Sequence, residues 1–336
     1  MERVEGKVAS GLAGVNVVLR FTDASVPSVP LQQWLSGVEP EPVWVSLQDG
    51  GGVRVMPVLP RATGYGALLQ QVQAQVGLET AVSWLGRLYT VAGVEVDRCP
   101  LRVIQVPVES EASLPPTVGR ALHGQCFRWL AAADPDLAVG LHGQESMPLT
   151  VTLIRAKSGE QWLRVGLLRS DLLAPLLWGM SGDLGGMITL AGVNCRLGRF
   201  VQLVEARRFE ELMAVPVQRE LQLRLFTPTS FKLDGYVQPF LLPELVFENL
   251  RRRWNGVAPA ELAIGPVVWE GLTAAFELKT RALRMEGGSE IGASGWVRYC
   301  FPDEEQARLA TILAHFAFFA GVGRKTAMGM GQARLM

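Results

Sequence analysis

Histidine and cysteine are scarce in this chain, with three of one and four of the other among 336 residues. Cys99, Cys126, Cys195 and Cys300 stand far apart, with no C-x-x-C pair and no Cys/His cluster at zinc-finger spacing. Neither a structural metal nor a disulfide framework is therefore expected, and each cysteine reads as a buried thiol in a reducing compartment. Charge is thin as well. Charged residues make up 19%, and 32 Lys+Arg cancel 32 Asp+Glu. Bulk charge thus announces no nucleic-acid binder, and the 49% hydrophobic content excludes an acidic tail or a disordered chain. Long apolar runs are missing: Leu309–Val322 is broken by His315 and falls short of the roughly 20 residues a spanning helix needs. The opening Met1–Lys7 has mixed charge and lacks the basic and apolar regions of a signal peptide. A cytoplasmic protein with no membrane partner is expected.

What is present divides into segments. Residues 1–98 contain no His and no Cys, and carry 7 basic against 9 acidic residues, leaving 25 against 23 for the remainder. Within them Val43–Leu47 and Val53–Met56 flank the Asp49–Gly52 turn, and apolar residues from Tyr65 to about Leu88 recur at mostly helical spacing. A small α/β segment is expected there. From Leu101 the pattern sharpens into the strand Leu101–Val108 and a helix capped by Thr117 and running to about Ala133. The strand pair Leu149–Arg155 and Trp162–Leu168 follows, joined through Lys157–Gly159. A helical stretch near Asp171–Trp178 and the strand Arg199–Ala206 complete the set. The order then repeats. Glu220–Phe226 alternates as a half-buried strand, and Pro243–Trp254 reads as a helix. Ala275–Met285 and Gly292–Cys300 flank a Gly287-Gly288 turn. Asp303, helped by Gln306, caps a helix to Phe319, and Gln332–Met336 closes the chain. Two β-α-β-β-α-β units predict an α+β protein of tandem ferredoxin-like (RRM-like) domains, residues 99–217 and 218–336, behind the N-terminal extension 1–98.

The strongest local signal is Gly321-Val-Gly-Arg-Lys-Thr-Ala-Met-Gly-Met-Gly331, directly after a helix. Gly321, Gly323, Gly329 and Gly331 let main chain approach a ligand, and Arg324 and Lys325 supply charge for phosphates. It is not a P-loop, because Arg324 precedes Lys325 and a helix leads in. Nor is it a dinucleotide fingerprint, because Thr326 holds the third glycine's place. A tight helix-to-strand connection that uses glycine for steric room stays open beside phosphate binding.

Gly321–Leu335 resembles the glycine-rich loop of the CRISPR-associated endoribonucleases that cut precursor CRISPR RNA, members of the RAMP superfamily. Leu114–His123, Trp129–Pro135, Leu141–Gly143, Phe226–Phe231, Pro243–Phe247 and Arg253–Asn255 match that family in the same order, over residues 99–336. The resemblance implies metal-independent RNA cleavage without a cofactor, in which a 2′-hydroxyl attacks the adjacent phosphate. CRISPR repeat RNA or precursor crRNA is the implied partner, with other CRISPR-associated proteins behind it. A non-catalytic RAMP subunit that binds guide RNA is the alternative, and an unrelated enzyme of small phosphorylated ligands a third reading.

Such a reaction needs proton carriers and a cation. Histidine titrates near neutral pH, and Arg or Lys suits charge that grows on the phosphate. His123 falls where the family carries its catalytic histidine, and Arg120, three residues earlier, shares its helical face. His142 is the second candidate; His315, among Phe316, Phe318 and Phe319, reads as packing. Many members of the family also use a tyrosine or lysine near that histidine; no tyrosine lies on the His123 helix, and Lys325 or Arg324 of the loop is the alternative. Of the cluster Arg251-Arg-Arg-Trp254, Arg252 is the RNA-contact candidate, and at least one other arginine and Trp254 read as structural. Lys232 is a further candidate for RNA contact.

Overall fold

Strand, helical crossover, two hairpin strands, helix and closing strand follow one another three times among the described residues. The chain's structure, a computed structural model, describes residues 13–23, 27–48, 53–78, 80–144, 146–156, 158–285 and 288–336. The expected turn at 49–52 and the positions of Lys157 and Gly287 lie outside them. The leading unit comprises β1 (Gly14–Phe21), β2 (Ser28–Pro30), α1 (Leu31–Trp34), β3 (Val43–Gln48), β4 (Val53–Val58), α2 (Tyr65–Val76), β5 (Ala81–Trp84) and β6 (Arg87–Asp97). Its strands lie in the order β3-β4-β1-β6, each antiparallel to its neighbour, with β5 and β2 added beyond β6. That connectivity is itself ferredoxin-like. The extension is therefore a fuller unit than the expected strand pair and helix. The helix expected to reach Leu88 stops before Gly77, because Val82 and Trp84 share a buried face of β5. Their period of two is masked in the sequence by the helical spacing of Val76, Val82 and Leu85.

The middle unit comprises β7 (Leu101–Ser110), α3 (Val118–Ala133), α4 (Pro135–His142), β8 (Leu149–Arg155), β9 (Gln161–Leu167), α5 (Leu173–Ser181), β10 (Met187–Leu190), β11 (Val193–Leu197), β12 (Val201–Arg207) and α6 (Phe209–Met213). Its strands run β8-β9-β7-β12, and the unexpected β10–β11 hairpin pairs with the far end of β7. β12 also pairs in parallel with β3, at Val201↔Leu47, which fuses the leading and middle sheets. Where β6 hands over to β7, the buried Arg102 forks onto both carboxylate oxygens of Asp97. Thr117 makes no capping bond through its side chain; the Val118 N–H instead donates to the Pro115 carbonyl at 3.0 Å.

The last unit comprises β13 (Glu220–Thr229), β14 (Phe231–Leu233), β15 (Tyr236–Gln238), α7 (Pro243–Asn255), β16 (Leu272–Met285), β17 (Gly288–Cys300), α8 (Glu304–Ala320) and β18 (Ala333–Leu335), with sheet order β16-β17-β13-β18. Asp303 caps α8 by accepting the Gln306 N–H at 2.8 Å. The Gln306 side chain does not return the favour; its oxygen accepts from the Glu270 N–H at 2.8 Å. Among the described residues no helix is long and apolar enough to cross a membrane.

β7 is apolar along its length because it serves two cores. Ile104, Val106 and Val108 pack with Leu122, Cys126 and Trp129 of α3, whereas Leu101 and Val103 join Phe316 and Phe319 of α8. The end of α8 thus rests on the middle sheet. Its last carbonyls lack intrahelical partners. Thr150 Oγ1 donates to the Phe319 carbonyl at 3.2 Å, and Arg164 Nη2 to that of Phe318 at 2.5 Å. Arg164 Nη1 also donates to Gln332 Oε1 at 2.5 Å, and its guanidinium lies 4.7 Å from the Phe318 ring centre. Burial lowers the Arg164 pKa to about 10, so it stays charged at neutral pH and complements the negative helix end. Replacing Arg164 by Leu strands two acceptors in the interface. The expected cost is about 1–3 kcal/mol, read as a lower midpoint in urea; an unchanged midpoint would contradict this role.

Candidate functional site

The loop after α8 is built by conformation first. Gly321, Gly323, Gly329 and Gly331 all have positive φ, from +67° to +91°, and Lys325 joins them at +52°. Side chains are excluded at two of these positions: a Cβ on Gly323 would lie 2.4 Å from the Ser230 carbonyl oxygen, and one on Gly331 2.1 Å from that of Val322. The amides are largely committed. Gly321 donates to the Ala317 carbonyl at 2.9 Å, Gly323 to Asn249 Oδ1 at 2.8 Å, and Gly331 to the Pro228 carbonyl at 3.0 Å. These three glycines therefore shape the loop and present no free N–H group to a ligand.

The loop seats on the start of α3. A Cβ on Gly119 would fall 2.0 Å from the Met328 carbonyl oxygen, so only glycine allows this approach. Beside the contact runs a groove of about 1050 Å³ between the middle and last units. Its lining includes Gly119, Arg120, Thr152, Arg155, Lys325 and Gly329. Arg120 is exposed on it.

His123 lies one helical turn beyond Gly119. Its ring centre is 4.6 Å from that of Phe127, which in turn is 4.1 Å from the ring of His142; the two imidazoles are 6.2 Å apart. His142 ends α4, a helix started by Asp134, whose carboxylate accepts the Asp136 and Leu137 N–H groups at 3.1 and 3.2 Å. Nδ1 of His123 is buried without a hydrogen-bond partner. Burial pushes the His123 pKa below the usual imidazole range and the nearby His142 adds to this, while the Ala327 main chain pulls the other way. A neutral ring at pH 7 results. Space beside it is open: a Cβ on Gly124 would meet nothing within 4 Å.

The remaining expected residues are dispersed. Arg324 and Lys325 both pair with Glu290 of β17, at 3.2 and 2.6 Å. Lys232 is exposed on β14, and Arg252 is exposed on α7 with Glu248 3.6 Å away; neither lines the groove. Trp254 is buried and its N–H donates to the Leu262 carbonyl at 2.8 Å, and Arg253 is buried against the Met147 carbonyl at 3.4 Å. Arg251 is held by Glu248 at 2.8 Å. His315 is half-buried on α8, near Glu205 and Arg207 of β12. Among the described residues no cluster of His, Cys, Asp or Glu is gathered closely enough to hold a metal ion. Sequence reasoning passed over Phe127, Arg164 and Glu290. Only Arg164 carried a local signal, as a lone cation between Leu163 and Val165 on an apolar strand.

Comparison with known proteins gives this arrangement relatives. Residues 223–333 match the family model for CRISPR-associated endoribonuclease Cas6. A curated protein of that name from Mycobacterium tuberculosis is 23% identical over 247 residues, 69% of this chain and 76% of its own length. Among solved structures, a Cas6 product complex is 28% identical with a TM-score of 0.62, covering 70% of this chain and 99% of its own. A substrate-mimic complex of the same Cas6 is 27% identical with a TM-score of 0.58 over the same shares. A Thermus thermophilus Cas6, 24% identical with a TM-score of 0.54 over 71% of this chain and all of its own, shares the fold.

The paired rings make a direct prediction. In an NMR titration His123 should titrate below pH 6.5, and His142→Asn should move it upward by removing a neighbouring positive charge. A His123 midpoint that stays in place would show that the two rings are not coupled.

Proposed function

We propose that residues 99–336 of this chain form a Cas6-type unit of the RAMP superfamily, and that the chain binds CRISPR repeat RNA and cuts precursor transcripts into guide RNAs. One observation carries the reading. The helix bearing Arg120 and His123 and the glycine-rich loop bearing Lys325 touch at Gly119, and Arg120 and Lys325 face one groove. His123 does not line that groove; it reaches the loop at the Ala327 main chain, one helical turn beyond Gly119.

In the proposed reaction the 2′-oxygen of the nucleotide before the cut bonds to phosphorus as the bond to the 5′-oxygen breaks. The products are a 2′,3′-cyclic phosphate and a 5′-hydroxyl. His123, neutral at pH 7, is suited to take the 2′-hydroxyl proton, and the exposed His142 to return one to the departing oxygen. Arg120 and Lys325 offset the charge that grows on the phosphate. No metal is required by these steps. The proposed division of the chain is residues 1–98, 99–217 and 218–336, with the last two gripping RNA between them and Gly329, Lys232 and Arg252 extending the contact. Affinity drawn from phosphates should fall as salt rises.

Substituting His123 by Ala tests the assignment in a buffer containing EDTA. Repeat-RNA cleavage should be lost while affinity stays within about tenfold, or ~1.4 kcal/mol. Cleavage at the wild-type rate would remove His123 from the mechanism. Binding without cleavage by the wild-type chain would favour a guide-RNA-binding subunit.

A further inference from the structure

The two cations of the glycine-rich loop do not project separately. Lys325 Nζ lies 2.6 Å from one oxygen of Glu290 and Arg324 Nη1 lies 3.2 Å from the other, so a single carboxylate bridges both. Its side chain is only 15% exposed, whereas the Lys325 and Arg324 side chains are 29% and 30% exposed. Glu290 comes from β17, directly opposite Leu283 of β16 in the hairpin register, and Leu283 lines the same groove as Lys325. The anion therefore arrives from a different strand, next to the groove wall at Leu283. It fills the coordination that a phosphate bound to the same two cations would use.

We propose that Glu290 is a phosphate surrogate that gates the loop. It neutralises Arg324 and Lys325 until an RNA phosphate of the right geometry displaces it, and so sets RNA specificity. This rests on the repeat-RNA reading above. Displacement is chemically possible: partly exposed ion pairs are weakly held, and a phosphodiester carries the same single charge on two oxygens as a carboxylate, so it can bridge the same two cations. An RNA whose backbone enters the groove in the wrong register meets an anion without gaining the cations, and is rejected by repulsion. Glu290 thus acts on selectivity through Lys325 and Arg324, as a positioning residue.

The test compares wild type, Glu290→Gln and Glu304→Gln in binding to repeat RNA and to an unrelated single-stranded RNA across a salt series. Glu304 sits 83% exposed at the start of α8, and its replacement makes the same change in net charge outside the groove. For Glu290→Gln, the unrelated RNA should bind at least about fivefold tighter at low salt. The log–log salt slope should steepen by about 0.7 for each freed cation that reaches a single-strand phosphate. The gap between repeat and unrelated RNA should narrow. Glu304→Gln should match wild type. Glu290→Asp, which keeps the charge on a shorter arm, should leave the slope near wild type, and it supplies the comparison if the Gln variant folds poorly. A Glu290→Gln protein that binds both RNAs as wild type does, or more weakly, overturns the gate. A wild-type chain that neither binds nor cuts repeat RNA overturns the functional reading instead.

Discussion

A helix that ends against another unit's sheet must find partners for its last carbonyls, and here Arg164 and Thr150 supply them. The geometry leaves no slack: a Cβ on Gly166, the next strand position to Arg164 on that face, would stand 2.5 Å from the Phe319 carbonyl oxygen. Because the glycine-rich loop begins at Gly321, just after α8, fixing the helix end fixes the loop. Arg164 reaches past the helix to Gln332 as well, so both ends of the loop are tied to the middle sheet by one buried guanidinium. The seat on Gly119 and the shared groove follow from that anchorage.

Beside the groove, on the same helix as Arg120, stands a ring kept neutral. Burial and the neighbouring imidazole both disfavour the charged form of His123, and Phe127 packs against both rings. Cations stand close by: Glu290 bridges the loop pair, and Arg120 and Arg155 are exposed on the groove wall. Charge is thus held in reserve until a polyanion enters. The near-zero net charge of the chain suits a protein whose basic residues work locally rather than as a field.

How much of this could be read from the residues depends on range. The paired strands and helices of residues 99–336 were legible because their apolar residues keep a period of two or close to 3.6, and the ferredoxin-like order followed. His123, Arg120 and the glycine loop were legible as residue types in a familiar order. The third ferredoxin-like sheet was not, because its first crossover holds only a four-residue helix, Leu31–Trp34. α4 was missed although Asp134-Pro135 is a helix start, since eight residues give too little periodicity to see. Phe127 and Glu290 act through contacts between elements, and Glu290 is 34 residues from Arg324 in the chain. The role given to the loop glycines also shifted. Gly321, Gly323 and Gly331 answer steric demands, with their N–H groups already used inside the protein.

The most direct test is the position of the cut site itself, obtained from the structure of this protein bound to repeat RNA with a single 2′-deoxy substitution that blocks attack. The account predicts the uncut phosphate in the groove between α3 and the glycine-rich loop, with the 2′-carbon turned toward His123 and a phosphate oxygen on Lys325. RNA lying wholly on another face, with that groove still empty, would contradict it.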